Sequence, residues 1–375
     1  MTARGGEQPG PARVARLARM LAERELDVLL VEKLIDVRYL TGFTGTAGVA
    51  LVAGEALREK LGPLRFFTDS RYATQSGEQL PETFQREIVA GELLEAVAGA
   101  LADGGGRLGF DEGHLTVKGH TRLRALLGPG WELAPSDGAV AALRSVKEPG
   151  EIARIRAAAE LADEALGGVL EAGVVGRAER EVAIELELRM RRLGAEEPSF
   201  PSIVAAGANA ALPHAEPHEQ KIPRDVLVTI DWGARLDGYC SDCTRTYATG
   251  EHVSEQAREV YELVLSAEER GLAAVKAGPT GREVDAVARA VIEDGGHGQH
   301  FGHGLGHGVG MEIHEGPRLS RTAGQDPLRA GQVVTVEPGV YVPGVLGVRI
   351  EDLVVVREDA QEVLTSLPKE LTVIS

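Results

Sequence analysis

Two stretches of the chain repeat each other, and this limits the fold more than any other feature. EAGVVGRAEREV (171–182) returns as KAGPTGREV (276–284), and VTIDWG (228–233) returns as VTVEPG (334–339). The AG pairs lie 105 residues apart, and Asp231 and Glu337 lie 106 apart. A duplicated unit buries its apolar face most readily against its twin, so the repeat predicts two similar halves facing one another across a shared cleft. Each half reads as helices followed by a hairpin.

Upstream of the repeat the pattern changes. After a Gly/Pro-rich start, RVARLARMLAERELD has apolar residues at helical spacing and VLLVEK reads as a strand. YLTGFTGTAGVALV, LRFFTDSRY and RLGFDE read as strands and turns, while GELLEAVAGALADG and VKGHTRLRALLG read as helices. Alternation of this kind predicts an α/β N-terminal domain over residues 12–140. A second domain, residues 141–375, is predicted to open with a long helix in EPGEIARIRAAAELADEALGGVLEAG. Pro149 suits its first turn, Glu151 suits its positive end, and Ile152, Ile155, Ala159 and Ala162 fall on one face. The expected fold is therefore an α/β domain joined to an α+β domain with an internal pseudo-twofold duplication.

The repeated hairpins carry matched acids. Asp231 is followed 11 residues later by Asp242, and Glu337 is followed 14 residues later by Glu351. An ionised carboxylate among Val and Ile is costly to bury unless a positive charge compensates it. Four converging on one site repel one another and take up protons unless cations stand between them, so the pattern points to bound metal. Of the ten histidines, five lie in HGQHFGHGLGHGVGMEIH, at 297, 300, 303, 307 and 314. The glycines between them argue against a helix and allow backbone to approach closely. No phosphate-cradle motif is present, so a nucleotide loop is not expected there. His214 lies in GANAALPHAEP, 17 residues before Asp231, in a loop leading to the same hairpin. His114 and His120 have no acids or histidines clustered around them and read as surface or helix residues. Cys240 and Cys243, spaced C-x-x-C, lack the second pair that a zinc site needs and the context of a redox motif; they read as small strand residues flanking Asp242.

Composition removes several classes of function. A formal charge of -17 without a basic run repels a phosphate backbone, so nucleic acid is not an expected partner. No stretch approaches the roughly 20 apolar residues of a membrane span, and the polar start MTARGGEQPGPAR lacks the apolar segment of a signal peptide. A cytoplasmic location is the expectation.

Together these residues resemble the pita-bread metallopeptidase family over about residues 150–370, judged by the five-part acid and histidine pattern. The resemblance implies that Asp231, Asp242, His307, Glu337 and Glu351 bind two divalent metals. In the family pattern Asp231 chelates one ion, His307 and Glu337 hold the other, and Asp242 and Glu351 bridge both. An oxygen-rich set with one imidazole suits manganese, with cobalt or zinc as alternatives. The N-terminal YLTGFTGTAG and FFTDSRY resemble the proline-specific members, and aminopeptidase P more than prolidase. His214 in LPHAEP, His303 and His314 in HGLGHGVGMEIHE, and Arg349 in VRIED fit the same branch. The resemblance implies that Glu337 is the general base, that His303 and His314 stabilise the oxyanion with help from His214, and that Arg349 orients ligands. The implied activity is hydrolysis of the Xaa-Pro bond at the N-terminus of peptides with proline in second position, by a homodimer. An Xaa-Pro dipeptidase is the alternative. A non-catalytic peptide-binding module fits less well, because no ligand position departs from the pattern.

Overall fold

The computed structural model describes residues 10–375, so the first nine residues of the polar start lie outside the described chain. It divides into two compact units, the first ending at Arg144 and the second spanning Ser145–Ser375.

In the first unit, strands β1 (Val28–Val31), β2 (Val49–Ala53), β3 (Leu64–Asp69), β4 (Gln85–Val89), β5 (Gly106–Phe110) and β6 (Trp131–Pro135) form one sheet in the order β4-β3-β2-β1-β5-β6. β1, β5 and β6 are parallel, whereas β2 runs antiparallel to both of its neighbours. VLLV and VALVA are buried at every position, which is why they are apolar without alternation. The helix Gly10–Glu23 buries Val14, Leu17, Ala18 and Leu21, one stripe at helical spacing. One expectation needs correction. The stretch read as strand and turn from Tyr39 begins inside a helix, Leu34–Thr41, which ends at Gly42 with φ +79°. Its Val37, Tyr39 and Leu40 are buried, so burial outweighs the strand preference of its Val and Tyr. His114 is exposed, and His120 packs edge-on against Phe110 with ring centres 5.3 Å apart.

The second unit repeats one motif. In its first half the helices Pro149–Ala172 and Glu179–Leu193 precede β7 (Glu197–Pro198), β8 (Ile203–Ala206), β9 (Leu227–Trp232), β10 (Ala234–Leu236), β11 (Tyr239–Cys240) and β12 (Cys243–Ala248). In its second half the helices Glu255–Ala274 and Gly281–Asp294 precede β13 (Gly306–Gly308), β14 (Glu315–Leu319), β15 (Val333–Val336), β16 (Gly339–Val342), β17 (Leu346–Arg349), β18 (Asp352–Val356) and β19 (Gln361–Val363). β9 runs between β8 and β12, and β15 runs between β13 and β18. The echoed AG pairs turn the chain between the two helices of each half, with Gly173 at φ +82° and Gly278 at φ +111°. Pro149 opens the first helix and the Glu151 carboxylate accepts the Glu148 N–H, as its first-turn position allows.

Two apolar cores lie mainly one to each half, the second also taking in Leu227 and Ala248 from strands of the first. Leu166, Val182, Leu186, Val228, Ile230 and Trp232 belong to one, and Val264, Val284, Ile292, Val334, Val336 and Val354 to the other. The seam between them is polar. Thr246 Oγ1 donates to Arg349 O (2.9 Å) and the Glu351 N–H donates to Thr244 O (3.1 Å). Arg245, 1% exposed, donates to Asp352 Oδ1 (2.8 Å), to Leu367 O (2.7 Å) and to Glu351 O. A buried guanidinium is tolerated only when its donors are used in this way. The strands that carry the acids thus meet along a hydrogen-bonded line.

Candidate functional site

The hairpins bring the acids together. Asp231 lies in β9, opposite Thr244 of β12, and Asp242 directly precedes that strand. Glu337 follows β15, and Glu351 falls between β17 and β18. One carboxylate oxygen from each of Asp231, Asp242 and Glu351 lies within 4.8 Å of the other two, and all three residues are buried. His307, in β13, joins them to the fourth acid. Its Nε2 is 3.6 Å from Asp242 Oδ2 and 3.3 Å from Glu337 Oε1. Burial pushes the Asp242 and Glu351 carboxyls well above their ordinary range, and the neighbouring carboxylates add to the rise. Burial also raises Glu337.

Three features of this cluster fit divalent cations. Asp231 Oδ1 and Glu351 Oε1 are buried and have no hydrogen-bond partner among the described residues, which is costly for a carboxylate oxygen. His307 Nδ1 lies 3.1 Å from Gly308 O, and a carbonyl only accepts, so the ring proton is on Nδ1. Burial depresses the pKa of this ring, so Nε2 carries a lone pair aimed at two carboxylates. That juxtaposition is repulsive unless a positive charge separates the groups. The donors, four carboxylates and one imidazole, are those of a hard-to-borderline cation site.

The remaining expected residues line the same cavity, of about 640 Å³, together with the acids. His214 and His314 are both exposed to it, and the His314 ring packs edge-on against His307 at 4.4 Å. His303 is tied on both sides. Its Nδ1 lies 2.8 Å from Gly304 O and its Nε2 lies 2.9 Å from Tyr341 Oη. Nδ1 therefore donates to the carbonyl, and Nε2 accepts from the tyrosine hydroxyl, whose oxygen accepts from Arg349 Nη1 (2.8 Å). Arg349 also donates from Nη2 to Asp231 Oδ2 (2.6 Å).

Close backbone approach explains the glycines. A Cβ on Gly306 would meet Thr335 O at 2.0 Å, and one on Gly308 would meet Gly316 O at 2.2 Å. His297 and His300 lie outside the cluster and contact each other, with Nδ1 atoms 3.0 Å apart. Cys240 and Cys243 are buried and form no disulfide; Cys240 Sγ donates to Met311 O (3.8 Å), and Cys243 Sγ donates to Glu351 O (3.5 Å) and accepts from Arg245 Nη1 (3.4 Å).

Residue-type reasoning alone passed over three groups that hold the site. Thr335 accepts the His307 N–H (3.0 Å) and donates to Glu337 Oε1 (3.0 Å). Thr244 donates to Glu351 Oε2 (2.7 Å) and accepts from Arg349 Nε (3.0 Å). Tyr341 links His303 to Arg349. The echo contained one signal, since Thr335 and Thr229 occupy the same place in VTVEPG and VTIDWG.

The chain is similar to known proteins over most of its length. Residues 153–358 match metallopeptidase family M24, and residues 13–146 match the creatinase/prolidase N-terminal domain. An Xaa-Pro dipeptidase from Pyrococcus horikoshii is 34% identical over 360 residues, covering 96% of this chain and 98% of that protein. The structure of an Xaa-Pro dipeptidase from Bacillus anthracis superposes with a TM-score of 0.90 at 39% identity, covering 97% of this chain and 99% of that one. An X-Pro aminopeptidase structure from Thermotoga maritima gives a TM-score of 0.86 at 34% identity, covering 96% and 99%.

Proposed function

Because the chain belongs to metallopeptidase family M24, with a creatinase/prolidase N-terminal domain and the pita-bread fold, we propose that it hydrolyses Xaa-Pro peptides and prefers the dipeptide. The observation that carries the hydrolytic reading is His307 Nε2, a lone pair 3.3 Å from one carboxylate and 3.6 Å from another beside two orphaned carboxylate oxygens. Asp231, Asp242, His307, Glu337 and Glu351 would hold two divalent ions, manganese in this reading. When bound, such ions supply an acidified water and a polarised carbonyl.

The protein's own groups do the rest. Glu337, held by the Thr335 hydroxyl, takes the proton of the attacking water and returns it to the departing nitrogen. That nitrogen belongs to proline and has no hydrogen of its own, so it must gain a proton before it leaves. His214 and His314, with rings open to the cavity, donate to the developing oxyanion. The donor role carried over for His303 is narrowed here. Both of its nitrogens are in use, so it fixes Tyr341 and through it Arg349.

Preference for the dipeptide departs from the aminopeptidase expectation. It is supported by the likeness to the Bacillus anthracis and Pyrococcus horikoshii dipeptidases. It is supported also by Arg318, an exposed cation on the cavity wall that makes no ion pair with any described residue. A dipeptide brings its free carboxylate one residue beyond the scissile bond, and a guanidinium binds a carboxylate through two parallel hydrogen bonds. Cleavage of Xaa-Pro-Yaa remains the second reading, favoured by the likeness to the Thermotoga maritima aminopeptidase. The test is kcat/KM on matched Xaa-Pro and Xaa-Pro-Yaa peptides with added manganese. A higher value on the dipeptide supports the first reading, and a higher value on the tripeptide supports the second.

A further inference from the structure

Outside the acid cluster, two buried acids on equivalent helices hold the loops that present two of the site's histidines. Glu179, 2% exposed, opens the helix Glu179–Leu193. Its Oε1 accepts the Ala206 N–H (2.7 Å), and its Oε2 accepts Asn209 Nδ2 (2.8 Å) and the His218 N–H (2.9 Å). No cation among the described residues pairs with it, so three N–H donors and the positive helix end offset its charge. Those donors bracket residues 206–218, and His214 lies between them.

The other half repeats the device. Asp285, 1% exposed, accepts the Leu305 N–H on Oδ1 (3.0 Å) and grips Arg289 with both oxygens (2.7 and 2.8 Å). Arg289 in turn donates to Phe301 O (3.0 Å) and His303 O (2.8 Å). Asp285 follows Glu179 by 106 residues, the spacing of Asp231 and Glu337. We infer that Glu179 and Asp285 are positioning residues, a duplicated pair of backbone clamps that set His214 and His303 at the substrate end of the cavity.

Three donors converge on one side chain that touches neither the acids nor the open cavity, so its work is done on the loop. Ordering a loop costs backbone entropy at every residue, and a buried carboxylate with three charge-assisted contacts is a strong means of offsetting that cost. The inference rests on the proposed function only in taking substrate to be what His214 meets, His303 acting through Tyr341 and Arg349.

Glu179→Gln keeps the shape but turns an NH₂ group toward donors that need an acceptor. The variant is expected to keep its metal content, to exchange amide hydrogens faster over 206–218, and to lose about 10- to 100-fold in kcat/KM on the proline peptide. In a His214→Ala background the same change is expected to alter kcat/KM by less than about twofold, because the clamp then has no histidine to place. Asn209→Ala removes one donor, leaves the acid in place, and is expected to shift both measurements the same way by less. Unchanged amide exchange over 206–218, or the same fold-loss in both backgrounds, overturns the clamp. A wild-type protein that leaves every Xaa-Pro peptide intact overturns the proposed function instead, while loop exchange still decides the clamp.

Discussion

Arg349 Nη2 donates to Asp231 Oδ2 over 2.6 Å, so one oxygen of the acid cluster is already taken by a cation of the protein. The same guanidinium reaches Thr244 Oγ1 (3.0 Å), Tyr341 Oη (2.8 Å) and Pro213 O (3.1 Å), tying both hairpins to the loop of His214. Asp231 keeps Oδ1, the oxygen without a partner, for the ion of the proposed reading.

Removing that cation leaves buried acceptors uncompensated. Arg349→Met is expected to lower stability by about 3–5 kcal/mol, the usual result of breaking one side of a buried pair. Arg349→Lys is not expected to restore it, since one ammonium cannot span four partners. Urea unfolding of both variants measures this, and a wild-type midpoint for either contradicts it.

Removing metal should act in the same direction. Exhaustive chelation is expected to abolish hydrolysis and lower Tm, and added manganese to restore both, because an ion that binds only the folded state stabilises it by mass action. Full activity in a sample shown metal-free by elemental analysis would sink the two-metal reading.

Ligands and positioning groups should part company under substitution. Asp242→Ala removes an acid at the centre of the cluster and is expected to lose metal. His314→Ala is expected to keep metal and lose about 10²–10³ in kcat, the effect of deleting one donor to a developing charge. Equal metal loss in the two variants would show the roles to be wrongly assigned.

Arg318 gives the dipeptide preference its own test. Arg318→Met is expected to raise KM for an Xaa-Pro dipeptide by about 10-fold or more, as loss of a charged hydrogen bond does, with a smaller change for Xaa-Pro-Yaa amides that lack the carboxylate. Equal changes for the two substrates would assign Arg318 to general electrostatics.

The two cysteines should be inert. Burial pushes the Cys240 thiol up to about 11 and raises Cys243 as well. A thiol whose folded pKa is raised is protonated in the fold, so its contribution to stability is intact below the ordinary thiol pKa and is lost as pH rises toward 11. Neither thiol is expected to react with Ellman's reagent at pH 8 in the native protein, and both should react in urea. Rapid native labelling would revive a redox reading.

The parts legible in the sequence are those in which residue type and spacing determine the outcome. Asp231 and Glu337 could be matched because each ends the same apolar strand, and the glycines around His307 could be read because no side chain fits there. The helix Leu34–Thr41 was hidden because its Val and Tyr favour a strand locally and only tertiary burial reverses that preference. Thr335, Tyr341 and Glu179 were hidden for a different reason. A threonine, tyrosine or glutamate is ordinary in itself, and its meaning lies in a partner 27 to 39 residues away that spacing does not identify.

The polar seam also sets the order in which the molecule assembles. Its contacts join residues 103 to 122 positions apart, whereas most of each apolar core comes from a single half. Contacts between distant parts of a chain are slow to form, because loop closure comes before any return from it. The acid cluster is therefore expected to be among the last features to arise on folding, since two separately folded halves would hold only a pair of acids each. In the finished protein the four acids keep their places only while the seam holds, so a substitution that loosens the seam is expected to weaken metal binding and the joining of the halves together.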